Sequence, residues 1–201
     1  MRKLLFTLIV STSFSLCPAA VVYDNLGAAS GGADPIGSFG PLYDSFSTGA
    51  AGLNLVDVWV KLVLPLQIPP DPSITVALYA NSSTSPGALL WTIGSIDDSE
   101  LSSALQDYEF TLSTPYALAA NTRYWIGLST TGNARWAWSE DLSGTGVAGE
   151  YFANSNGVYD NSGGPYQMQL NDGSNVPEPA SLLMMGGALL ALGLVRRKST
   201  R

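Results

Sequence analysis

The sequence predicts an all-β protein, an antiparallel β-sandwich of jelly-roll type, flanked by an N-terminal signal peptide and a short C-terminal transmembrane helix. Three observations predict it. Short runs of alternating apolar and polar residues recur through residues 21–175, clusters of Gly, Pro, Asn and Ser stand between them, and each end of the chain carries an uncharged, largely apolar segment beside basic residues. With 201 residues, 46% hydrophobic and only 12% charged, the chain can bury one sizeable core, so the body is expected to be one domain that folds independently.

Taken in order, Arg2 and Lys3 precede an apolar stretch from Leu4 to Leu16, followed by Cys17-Pro18-Ala19-Ala20. That is the charged, apolar and small-residue order of a signal peptide, with signal peptidase cutting after Ala19 or Ala20. Either cut removes Cys17, the single cysteine. Reading Cys17 as a lipoprotein site would need a small residue before it, and Leu16 stands there.

The strongest strand signal is 53–64, where Val56, Val58, Val60, Leu62 and Leu64 fall on one face and Asp57, Trp59 and Lys61 on the other. Period-two runs follow at 74–79, 89–93, 108–112, 123–129, 135–139, 150–153 and 166–170, with shorter candidates at 21–24 and 43–47. Turns are expected at Pro69-Pro70-Asp71-Pro72, Ser85-Pro86-Gly87, Thr131-Gly132-Asn133 and Ser162-Gly163-Gly164-Pro165. Residues 98–106 read as a helical turn capped by Ser99, and 154–165 as a loop. About ten strands at this spacing favour a sandwich, with a barrel as the alternative.

The C-terminal segment from residue 176 has three parts: Val176-Pro177-Glu178-Pro179-Ala180-Ser181, an uncharged run over 182–195, and a basic cluster of Arg196, Arg197, Lys198 and Arg201. As a helix, 182–195 spans about 21 Å at ~1.5 Å per residue, short of a hydrocarbon core of about 30 Å. The basic cluster would stay on the cytoplasmic side, which holds the body in the periplasm as a membrane-tethered intermediate. Pro177 and Pro179 keep the preceding segment extended. Residues 176–201 resemble the PEP-CTERM sorting signal of exopolysaccharide-producing Gram-negative bacteria. The resemblance implies handling by an exosortase, a membrane-embedded enzyme, with removal of the tail near Pro177-Glu178-Pro179 and delivery to the cell envelope or extracellular matrix. The bland alternative is an ordinary tail anchor. The body is similar to choice-of-anchor domains of the R type through Tyr116-Ala117-Leu118-Ala119-Ala120-Asn121-Thr122-Arg123-Tyr124-Trp125-Ile126-Gly127-Leu128, together with Val76-Ala77-Leu78-Tyr79 and Ser85-Pro86-Gly87-Ala88-Leu89-Leu90. That resemblance implies surface placement and no reaction.

The chemistry of the body is narrow. Without a histidine, and with its only thiol in the leader, it has no His-based acid/base relay, no Cys/His pair, no His-ligated metal and no disulfide. Residues 21–176 hold three cations against fifteen acids, a net charge of −12, and Lys61, Arg123 and Arg135 are far apart in sequence, so nucleic acid is not an expected partner. No catalytic residue is assigned and the body is expected not to be an enzyme. A carboxylate glycosidase is the least favoured alternative, with Glu109, Glu140 and Glu150 as its candidates. Lys61 with a serine would make a hydrolytic dyad, but its place beside Asp57 favours an ion pair. No cofactor is predicted. The acidic composition leaves weak loop-bound calcium open, at Asp97-Asp98-Ser99-Glu100 or within 154–161, against the plainer reading of solvated acidic turns.

Trp136 and Trp138 stand two apart and so share a face of their strand, with Arg135 and Glu140 nearby. On an outer face they would form a platform for stacking exopolysaccharide sugars; on the inner face they are core, the commoner fate of large aromatics in sandwiches. Trp59, Trp91 and Trp125 pose the same question. The expected role is therefore a non-enzymatic envelope or matrix protein, with a carbohydrate-binding sandwich as the alternative.

Overall fold

A computed structural model describes residues 20–66 and 72–173. The segments read as leader and sorting tail, including Cys17, Val176, Pro177, Glu178, Pro179, Arg196, Arg197, Lys198 and Arg201, lie outside the described residues, as do most of the Pro69-Pro70-Asp71-Pro72 turn. Among the described residues no helix is long and apolar enough to cross a membrane.

The described chain is all-β. Its strands are β1 (Ala20–Asp24), β2 (Ser30–Pro35), β3 (Leu42–Ser47), β4 (Leu53–Val63), β5 (Ser73–Ser82), β6 (Ser85–Asp97), β7 (Gln106–Leu118), β8 (Arg123–Ser129), β9 (Arg135–Ser139), β10 (Tyr151–Asn154), β11 (Gly157–Asp160) and β12 (Met168–Asp172). One antiparallel sheet, sheet A, runs β1-β12-β4-β9-β2, with β7 on the other edge of β4. The other, sheet B, runs β11-β10-β3-β8-β5-β6. Their facing sides build one core: Val58, Val60, Leu62, Phe110, Trp136, Met168 and Leu170 from sheet A meet Leu42, Phe46, Ile74, Val76, Leu78, Ile126 and Leu128 from sheet B. Truncating any of these aliphatic side chains to alanine should cost about 2–5 kcal/mol, because close-packed interiors refill such cavities only in part.

Where the strands depart from the sequence reading, the causes are long-range. In β4 the register to β7 shifts between Leu55 and Asp57, so Leu53 and Leu55 are buried on one side of the shift and Val58, Val60, Leu62 and Leu64 on the other. Val56, expected in the core row, is only half-buried. The β5–β6 turn is Ser83-Thr84, two residues before the expected Ser85-Pro86-Gly87, which lies within β6. Pro86 is tolerated there because β6 is a sheet edge. Only Asp98–Glu100 form a helical turn in 98–106; Ser99 lies inside it and Asp97 precedes it without a side-chain cap. The expected 154–165 loop contains β11 and a short turn at Asn161–Gly163. β2, unpredicted because Ser-Gly-Gly-Ala-Asp-Pro has no strand character, is drawn onto β9 beneath the Trp138 ring. A Cβ on Gly31 would lie 1.9 Å from that ring, so only glycine lets the two strands approach.

Candidate functional site

β4 is the middle of sheet A, paired with β7 on one side and with β12 on the other. Alternation sends Asp57, Trp59 and Lys61 outward, and the registers place outward residues of both neighbours around them. Trp59 stands opposite Glu109 on β7 and Gln169 on β12; Asp57 stands opposite Thr111 and Asn171; Lys61 stands opposite Asp107. A half-buried indole is thus the centre of a polar lattice. Side chains in directly opposed positions are about 4.5–5.5 Å apart at Cβ, close enough to act on one ligand.

Hydrogen bonds fix much of that lattice. Gln169 Nε2 donates to Asn171 Oδ1 at 3.0 Å, and Asn171 Nδ2 donates to Asp57 Oδ1 at 2.6 Å. Thr111 Oγ1 donates to Glu109 Oε1 at 3.0 Å. Lys61 Nζ lies 3.7 Å from Asp107 Oδ1 and also donates to the Leu26 carbonyl. The 24–28 segment closes one side: Asp24 Oδ1 accepts from the Leu26 amide at 2.9 Å, and Gln167 Nε2 donates to the Asn25 and Ala28 carbonyls at 3.2 and 2.9 Å. The result is a cleft of about 430 Å³ lined by Asp24, Leu26, Gly27, Trp59, Asp107, Gln169 and Asn171. Partial burial raises the Asp57 carboxyl above its ordinary range, opposed by the Asn171 hydrogen bond and reinforced by the negative charge of Glu109.

The remaining candidates fall elsewhere. Trp136 is fully buried, stacked on Tyr166 with ring centres 4.7 Å apart, and donates its indole N–H to the Gln167 carbonyl at 2.9 Å. Trp138 is half-buried, with its ring over Gly31. Of the two readings of Trp136 and Trp138, core and glycan platform, their burial is that of core and strand packing, because their common face turns inward. Trp125 is fully buried and donates to Asn81 Oδ1 at 2.9 Å, while Trp91 packs against Tyr116 at 5.8 Å with 46% of its surface exposed. Glu140 is exposed after β9, and Glu150 is buried, held by Arg123 Nε at 2.8 Å and Ser45 Oγ at 2.6 Å. Of the three glutamates only Glu109 belongs to the lattice. Lys61 pairs with Asp107 rather than with Asp57.

A larger cleft, about 620 Å³, lies where Asn81, Tyr116, Arg123 and Tyr124 meet. Several of its polar groups are already engaged: Arg123 by Glu150 and the Gly149 carbonyl, Asn81 by Trp125, and the Tyr124 hydroxyl by the Ala119 amide. The calcium candidates are also occupied by local structure. Asp97 accepts from Ser73 Oγ, Asn154 accepts from the Asn156 amide, and Asn161 is buried between the sheets, where its Nδ2 reaches Tyr23, Asp44 and Val147. Among the described residues no three Asp, Glu, His or Cys side chains gather around a metal-sized space.

Sequence alone placed Asp57, Trp59 and Lys61 on the face away from the core. Gln169 and Asn171 were missed because their pairing to β4 crosses more than a hundred residues, and Asp24 because β1 reaches this face only through β12.

Beyond the body, residues 175–198 match the family model described as the PEP-CTERM protein-sorting motif. The motif implies an exported protein, sorted by way of the membrane and processed by an exosortase. No curated protein matches the chain. The match covers the tail and lends no support to the choice-of-anchor resemblance of the body.

Proposed function

We propose that this chain is an exported envelope or matrix protein whose body has no catalytic role and binds carbohydrate through the outer face of sheet A. The observation that carries the reading is Trp59, half-buried and lining a cleft at the centre of a lattice of amides, carboxylates and a hydroxyl. An indole face offers a flat apolar surface to the C–H face of a sugar ring, and surrounding hydrogen-bonding groups orient its hydroxyls. A sheet-borne site of this kind is held by the backbone ladder and needs little ordering on binding. On this reading signal peptidase removes the leader, the tail holds the chain in the inner membrane until an exosortase cuts it near Pro177-Glu178-Pro179, and the released body meets exopolysaccharide.

Calorimetric titration of the full-length protein with the polysaccharide of its own cell tests the reading. Trp59→Ala should weaken binding about tenfold or more while the body still unfolds cooperatively. Wild-type binding that survives this substitution would remove the face from the reading. Asp57 and Glu109, side by side, also have the residue types of a carboxylate glycosidase. The Asn171 amide holds Asp57 as a hydrogen-bond acceptor, which favours binding over acid catalysis; release of reducing ends during the titration would assign hydrolysis instead.

A further inference from the structure

Resting on the carbohydrate reading, we infer that the Trp59 face selects sugars bearing free amino groups, the chemistry of a de-N-acetylated amino-sugar polymer, over neutral and uronic-acid polymers. The cleft and its lattice carry Asp24, Asp57, Asp107 and Glu109 against Lys61. That single ammonium is already turned to Asp107 and to the Leu26 carbonyl, so it is not presented to a ligand. The other cation of this sheet, Arg135, stands opposite Val63. Four residues along the strand from Trp59 is about 13 Å at ~3.3 Å per residue, beyond the screening length of about 8 Å at physiological salt.

A uronate carboxylate stacked on Trp59 would therefore meet like charge with no cation to receive it. A protonated amino group meets the opposite situation. The indole face attracts an ammonium through its quadrupole, and Glu109 stands directly across the strand from the indole. Acetylating that amine removes the charge, so both contributions vanish together while ring stacking remains.

The test titrates the full-length protein, near neutral pH and about 0.15 M salt, with four probes of matched length: glucosamine oligosaccharides, their fully N-acetylated forms, cello-oligosaccharides and oligouronates, plus spermidine as an amine without a ring. Glucosamine oligosaccharides should bind about tenfold more tightly than the N-acetylated forms, the size of one cation–π or charge contact. That ratio should shrink towards one in 1 M salt, where the screening length is about 3 Å, and in the double variant D107N/E109Q. Equal affinity for the acetylated and free-amine probes, both lost in Trp59→Ala, would overturn the amino-sugar inference and leave the carbohydrate reading intact. Tightest binding of the oligouronate, or of spermidine, would overturn it as well. If none of the four oligosaccharides binds, the carbohydrate reading itself fails and this inference with it.

Discussion

The two sheets each carry a tryptophan on the outward side of an interior strand, and the two have opposite fates. On sheet B, Trp125 alternates with the core residues Tyr124 and Ile126, yet none of its surface is exposed. Its N–H is bound to Asn81, and beside it the Tyr43 and Tyr79 rings press so close to Gly127 that a Cβ there would lie 2.6 Å from both. On sheet A, Trp59 is bordered by groups that bond mainly to one another, with Asp57 also bonded to the indole, and they leave it half-buried with part of its surface in the cleft. An aromatic on a sheet face is therefore not a site in itself; what its cross-strand neighbours do decides whether it packs or presents.

The largest expected effect tests that contrast directly. Trp125→Ala should destabilise the body by about 3–5 kcal/mol in denaturant unfolding, the cost of deleting a buried large aromatic. Trp59→Ala should cost less, about 1–2 kcal/mol, because part of the ring already faces the cleft, while removing glycan binding. If the two substitutions cost the same stability, the outer faces are equivalent and Trp59 is packing as well.

Charge pairs sharpen the same comparison. On sheet B, Arg123 Nε sits 2.8 Å from a Glu150 carboxylate that is 5% exposed, and its guanidinium also lies 4.7 Å over the Tyr151 ring. Arg123→Ala leaves Glu150 buried with only Ser45 Oγ to bond it, and should cost about 3 kcal/mol by the same unfolding measurement. A loss below about 1 kcal/mol would mean that water reaches Glu150 once the arginine is gone.

Between the sheets, Asp44 is fully buried, and its carboxyl is raised well above the ordinary range, chiefly by burial, with Glu150's charge adding to the rise and hydrogen bonds from the Tyr166 and Ser45 backbone and Asn161 opposing it. The folded state then holds a proton that the unfolded chain has released. The contribution of Asp44 to stability is therefore fully present below the unfolded value of about 3.9 and is lost as pH rises towards the folded value. Asp44→Asn should flatten that fall and leave the variant the more stable protein at neutral pH. Melting curves across pH read this directly, and an unchanged slope would locate the titration elsewhere. Asp57, only half-buried, is raised through the same cause and should contribute a weaker slope of the same sign.

Much of the architecture was legible because strand alternation is local: 123–129 and 135–139 are strands with the expected bounds, and β4 shows the expected faces from Val58 onward. Other features were not. The slip at Val56 belongs to the β7 register, β2 exists because a distant Trp138 needs a glycine floor, and β11, read as loop, forms by pairing with β10. The candidate site divides in the same way. One strand announced Asp57, Trp59 and Lys61, whereas Gln169, Asn171 and Asp24 came from segments whose only link to β4 is tertiary pairing.

The smallest expected effect is at Lys61, the sheet A counterpart of Arg123. Its partner Asp107 keeps 42% of its side chain exposed at 3.7 Å, so water already screens the pair, and such pairs contribute about 0–1 kcal/mol. The Leu26 carbonyl that Lys61 also serves has a second donor in Gln167 Nε2 at 3.4 Å, so it is not stranded when the ammonium goes. Lys61→Met keeps the aliphatic stem and should cost about 1 kcal/mol or less, with little further change on raising salt. It should also tighten binding of a glucosamine oligosaccharide slightly, because the one positive charge beside Trp59 has been removed. A loss of 3 kcal/mol or more would mean that Lys61 secures the 24–28 segment as firmly as Arg123 secures Glu150, and the contrast between a sealed face and a presenting one would not hold.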